Sequence, residues 1–112
     1  MANVYKNIQA KVTSAGSFDD MYTAPAETTS IVKTIKLFNT HGSALDVEIK
    51  IYDASSTTDY EYDIANVTAS DGVDLLTFNN ILILEAGDKI KMKCATGNVI
   101  KMTAAVLQTS RT

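Results

Sequence analysis

The stretch LDVEIKIYD, Leu45–Asp53, decides the fold class. Leu45, Val47, Ile49 and Ile51 fall on one parity, and Asp46, Glu48, Lys50 and Tyr52 on the other. Successive side chains of a strand point to opposite faces, so this alternation describes a strand with one dry face and one wet face. The same pattern recurs on both sides of it. Strands are predicted at residues 5–12, 18–23, 28–40, 60–67, 89–94 and 99–107, with two short ones in VDLLTFNNILIL broken near Asn79 and Asn80. VDLLTF could also form one helical turn. The long strand at 28–40 and the one at 45–52 flank the turn NTHGSA, which predicts that they pair as an antiparallel hairpin.

Turn signals TSAGS, APAE, NTHGSA, DASSTTD, TASDG, EAGD and ATGN recur about every 8–12 residues, and no segment sustains a helical period. The expected fold is all-β: a single-domain β-sandwich or jelly-roll-like fold over residues 1–112, with about eight or nine antiparallel strands. A chain of this length buries roughly two thirds of its unfolded surface, enough for one core without staples. Pro25, the one proline, falls in a loop, where its missing N–H does no harm. Gly16, Gly42, Gly72, Gly87 and Gly97 stand one per turn, and each is a candidate for positive φ.

The net charge of −3 runs against a nucleic-acid partner, since phosphate contacts call for a basic field. Lys89, Lys91 and Lys93 share a face, which reads as a solvated strand surface. No apolar run approaches the ~20 residues of a membrane helix, and the opening MANVYKNIQAK has no apolar signal region. Cys94 is the only cysteine, so neither an intrachain disulfide nor a thiolate metal cluster can form. It shares a parity with Ile90 and Met92 and is expected to be buried as a small hydrophobe.

Catalytic equipment is sparse. His41, the only histidine, falls in a turn and is expected to face solvent. Asp59, Glu61 and Asp63 alternate on one predicted strand, but alternate residues lie about 6.6 Å apart, too far for one cation to reach all three. Asp19–Asp20 and Asp71–Asp74 fall in or near turns, and Glu85 and Asp88 bracket EAGD; Asp at such places bonds nearby backbone. No G-x-S-x-G elbow and no phosphate-cradling glycine loop is present. The expectation is a protein that is not an enzyme, with no catalytic, cofactor-binding or metal-binding residues. A small hydrolase using His41 or Asp63 is the weakest alternative.

Taken in order, YKNIQAKVTS, MYTAPAETTSIVKTIKLFNT, VEIKIYD, NNILILEAGDKIKMKCAT and a terminal alternating strand form a pattern. It resembles a group of small virion proteins of tailed bacteriophages, over residues 5–107. Their pattern is a YT-x-PA-x-T-T turn before a long Ile/Val strand ending in Asn, a V-x-V-x-x-x-D strand, and an LEAGD turn. Glu27 replaces the usual glycine after PA, and TASDG replaces the usual IPAG turn. The resemblance implies a virion structural protein, made in the host bacterial cytoplasm. It would associate with itself and with other virion proteins as capsid decoration or a neck or tail component, and it would need no cofactor, nucleic acid or membrane. A receptor- or carbohydrate-binding tip module, using the DASSTTDY loop, is the alternative.

Phe38, Tyr52, Tyr60 and Tyr62 are the candidate interface residues, because tyrosine joins an apolar body to a polar tip. Tyr60 and Tyr62 share a parity with Ile64, which would equally fit a place in the core. The polar tails MANV and QTSRT carry too little apolar surface to order themselves, so partner contacts are expected to fix them.

Overall fold

The computed structural model describes residues 3–77 and 80–110. Nine strands and no helix occur among them. They are β1 (Asn3–Lys11), β2 (Asp19–Thr23), β3 (Thr28–Asn39), β4 (Leu45–Asp53), β5 (Thr58–Val67), β6 (Asp71–Leu76), β7 (Leu82–Leu84), β8 (Lys89–Cys94) and β9 (Ile100–Ser110). VDLLTF is thus strand up to Leu76, and its Phe78 lies outside the described residues. The same holds for Asn79, at the predicted break between the two short strands.

One sheet has the order β1-β9-β3-β6, with β7 pairing the first part of β3 and β6 the last part. The other has the order β2-β8-β4-β5. Every strand pairing is antiparallel. The chain changes sheet at each connection except β4 to β5 and β6 to β7, which is jelly-roll connectivity.

The predicted hairpin of the two long strands does not form. β3 pairs with β9, β6 and β7, while β4 pairs with β5 and β8. NTHGSA instead carries the chain from one sheet to the other. Each long strand has one apolar face, and stacking two sheets buries both faces at once.

The core is the space between the sheets. Val32, Ile35 and Leu37 of β3 and Ile100, Met102, Ala104 and Val106 of β9 line one wall. Val47 and Ile49 of β4 and Ile90, Met92 and Cys94 of β8 line the other. Cys94 is buried, as its parity predicts.

Four register shifts bend these ladders. They leave Met21 of β2, Lys33 of β3, Tyr62 of β5 and Leu75 of β6 as the extra residue of a bulge. An extra residue reverses the facing of all that follows. In β3 this resolves the lysine that interrupts the apolar parity. Ser30 and Val32 face the core before Lys33, and Ile35, Leu37 and Asn39 face it afterwards.

The described parts of the tails, Asn3, Val4 and residues 108–110, are tied within the chain. Asn3 pairs with Thr109 and Val4 with Gln108, while Thr28 of β3 pairs with Ser110. This corrects the expectation that a partner is needed to fix them; Met1, Ala2, Arg111 and Thr112 lie outside the described residues. The glycines are also corrected. Only Gly16 and Gly87 take positive φ, while Glu27, Thr57, Ser70 and Asn98 adopt it without being glycine.

Candidate assembly surfaces

The outer face of the β2-β8-β4-β5 sheet is ionic and internally matched. Lys89 Nζ lies 3.1 Å from Asp20 Oδ2, Lys91 Nζ 3.2 Å from Asp59 Oδ1, and Lys93 Nζ 3.0 Å from Glu48 Oε2. The lysine stripe is therefore paired, not simply solvated. Lys89 and Lys91 stand 5.7 and 4.9 Å from the centroid of the Tyr52 ring, and Lys50 and Lys93 stand 4.6 and 5.1 Å from that of Phe18. Exposed pairs of this kind contribute about 0–1 kcal/mol each. Their larger effect is to occupy the face: Tyr52 is half-buried beneath two ammonium groups.

The outer face of the other sheet is different. Tyr5, Leu107, Ile31 and Ile83 stand opposite one another on β1, β9, β3 and β7, forming a row across four strands. Directly opposed residues share a face. Tyr5 is 72% exposed and Ile83 57%, and Ile81 beside them is also exposed. Lys33 lies 5.6 Å from the Tyr5 ring centroid. Phe38 sits towards the other end of the same sheet, 42% exposed, opposite Lys101 and Gly72.

Strand β5 forms the rim of its sheet, with nothing paired beyond it among the described residues. All but its last few residues are exposed. The bulge at Tyr62 separates residues that simple alternation puts together. Tyr60 stands opposite Ile51 on the core side of the sheet, and Ile64 stands opposite Glu48 on the outer side. Both lie at the rim, and Tyr60, Tyr62 and Ile64 are all exposed, so none is a core residue. An open groove of about 480 Å³ runs here, lined by Ile49, Lys50, Tyr62 and Ile64 with Glu48, Glu61 and Asp63. Partial burial and the nearby Asp63 carboxylate push the Tyr62 phenol above its ordinary pKa. The bulge also divides the acids: Asp59 and Glu61 face outward, opposite Tyr52 and Lys50, while Asp63 stands opposite Ile49.

The four sequence-predicted residues therefore do not converge. Phe38 lies on one sheet, Tyr52 on the outer face of the other, and Tyr60 and Tyr62 on its rim. The row through Tyr5, Leu107, Ile31 and Ile83 was missed. Its signal is adjacent apolar residues in Ile31–Val32 and in ILIL, since a run without alternation marks a strand with apolar groups on both faces.

The turn motifs have structural work. Asp88 Oδ1 accepts from Ala54 N at 3.0 Å and Oδ2 from Glu85 N at 2.9 Å. Gly87 N donates to Ala24 O and Ala24 N to Asp88 O, both at 2.9 Å. The TAPA, DA and EAGD segments thus meet in one knot at an end of the sandwich. His41 is built into the sheet-crossing turn. Its N–H donates to Asn39 Oδ1 at 2.8 Å and its Nδ1 accepts from Ser43 N at 3.2 Å. It is half-buried, not fully exposed as expected. In the DASSTTDY loop, both Asp53 carboxylate oxygens accept from Ser55 and Ser56, which lowers the Asp53 pKa. Among the described residues no group of three His, Cys, Asp or Glu side chains is placed to hold a metal ion.

No protein-family model and no curated protein matches the sequence. Solved structures do match. The chain is similar in fold to part of a bacteriophage capsid. That chain belongs to the acidic-stable capsid structure of Helicobacter pylori bacteriophage KHP30; the TM-score is 0.63 at 13% identity, over 99% of this chain and 94% of that one. The chain is also similar to Bacillus endospore appendages, a family of disulfide-linked pili, with TM-score 0.59 at 10% identity over 98% of this chain and 89% of that one. A third likeness is to the Drosophila NLP-core, described for pentamer formation and histone binding, with TM-score 0.51 at 8% identity over 97% of this chain and 99% of that one. At these identities the likeness is one of fold, and function has to be argued from surfaces.

Proposed function

We propose that this chain is a non-enzymatic structural component of a bacteriophage virion, acting as capsid decoration or as a neck or tail component, and that it associates with itself or with other virion proteins. The observation that carries the reading is the apolar row Tyr5, Leu107, Ile31 and Ile83 on the outside of a jelly roll. An exposed apolar face gains by being covered, and the opposite face is already occupied by its own ion pairs. The fold likeness to a phage capsid chain and the order of the turn motifs support a particle as the setting. A covalent link between copies is disfavoured, because Cys94 lies in the core.

The mechanism is passive: complementary surfaces bury area between subunits and hold parts of a particle together. The test is immunogold labelling and mass spectrometry of purified particles, with Ile83→Lys as the perturbation. The chain is expected in particles at fixed stoichiometry, and Ile83→Lys is expected to fold yet fail to incorporate. Absence of the chain from particles would overturn the reading.

A further inference from the structure

Two strands have open edges of unlike sign. β5 carries Asp59, Glu61 and Asp63 and no basic residue over its ten positions. β1 carries Lys6 and Lys11 and no acidic residue over its nine. Lys101 of β9 stands opposite Lys11 and adds to the basic side. Ion pairing leaves most of these charges uncancelled. Of the residues named, only Asp59 belongs to an ion pair among the described residues, with Lys91. Among the described residues, the Asp63 carboxylate accepts only from the N–H of Ile64.

A bare edge is a template for another strand, and charged residues on it normally block pairing. Here the charges block selectively. Two β5 edges would set acid against acid, with Glu61 and Asp63 outside any ion pair among the described residues, and two β1 edges would set lysine against lysine, while β5 against β1 brings opposite signs together. One copy cannot satisfy this itself, since β1 borders one sheet and β5 borders the opposite side of the other. Exposed apolar groups accompany both edges: Tyr5 and Val4 on β1, and Tyr60 and Ile64 on β5.

We infer that copies of this chain associate head to tail, with the acidic β5 edge of one copy against the basic β1 edge of the next. This rests on the self-association in the proposed function and specifies the contact. A head-to-tail contact uses two different patches, so it propagates into a closed ring or an open filament and does not stop at a two-fold dimer. Backbone N–H and C=O groups on the two edges supply the pairing, interrupted at the Tyr62 bulge. The charges supply orientation and make the association sensitive to salt.

The test uses the full chain and two double variants, Glu61→Lys/Asp63→Lys and Lys6→Glu/Lys11→Glu, read by sedimentation velocity and native mass spectrometry at low and high salt. Thermal melts confirm that both variants fold. Each variant alone is expected to associate about tenfold or more weakly than the unaltered chain. Their equimolar mixture is expected to recover association in complexes of strictly alternating composition, because one variant then carries two basic edges and the other two acidic ones, so each edge fits only the other variant.

Three results would overturn the inference: unaltered association of either variant alone, a mixture no stronger than its components, or an unaltered chain that stays monomeric at its solubility limit. In each of these cases particle labelling still judges the virion reading separately.

Discussion

Asn39 shows how much one side chain holds. It is fully buried at the end of β3, where the chain leaves one sheet for the other. Its Nδ2 donates to Ser43 O at 2.9 Å and to Val67 O at 3.0 Å, and its Oδ1 accepts from His41 N. Asn39→Leu removes all three bonds and strands a buried carbonyl, so equilibrium denaturation is expected to show a loss of about 2–4 kcal/mol. Glu27 poses the opposite case. Its φ of 54° is left-handed, at the position where the resembled phage proteins carry glycine. Glu27→Gly relieves about 1–2 kcal/mol of backbone strain but frees the unfolded chain by about 0.4–1 kcal/mol. A small rise in melting temperature is expected, and a clear fall for Glu27→Val. Asp19 gives a pH signature. Its Oδ2 accepts from Thr13 N and from Ser14 N at 3.1 Å, and these bonds, that from Ser14 first, lower its pKa. Stability from a depressed carboxylate is fully present above the unfolded value of about 3.9 and is lost as pH falls through the lower folded value. Asp19→Asn is therefore expected to lower the melting temperature at neutral pH and to flatten its acid decline.

At the scale of the element, alternation in LDVEIKIYD and in the last strand was legible and held: Val47, Ile49, Ile100, Met102, Ala104 and Val106 are all buried. What alternation could not supply was the bulges. Tyr60, Tyr62 and Ile64 look like one face only if no residue intervenes, and the extra residue at Tyr62 breaks that count. The reason is cooperative: a bulge depends on the neighbouring ladder and the local twist, which no single strand records. Inner and outer apolar residues should respond differently. Ile35, in the core, is expected to cost about 2–5 kcal/mol on change to Ala. Ile83→Lys on the outer row is expected to cost the isolated chain less than about 1 kcal/mol while weakening assembly. Parallel denaturation and sedimentation measurements separate the two effects.

For the whole molecule, strand number and the sandwich were readable because each strand needed its apolar face covered. The partner of each strand was not, because neighbours in sequence, β3 and β4, sit in different sheets. The two sheets are coupled by a buried polar chain that the sequence did not announce. Tyr22 OH of β2 lies 2.8 Å from Ser30 Oγ of β3, and Gln108 Nε2 of β9 donates to the same hydroxyl at 2.8 Å. Tyr22→Phe leaves the fully buried Ser30 hydroxyl without that bond and is expected to cost about 1–3 kcal/mol. In a double-mutant cycle, adding Ser30→Ala should recover part of this, the sign of direct coupling between the layers.

The pairing of Asn3 with Thr109 and of Thr28 with Ser110 has a practical corollary. Anything fused ahead of the first strand and anything fused after the last would set out side by side from one pole. Two gold tags, one on each terminus, should then merge into a single spot on an imaged particle, and that spot would report which way up each subunit stands.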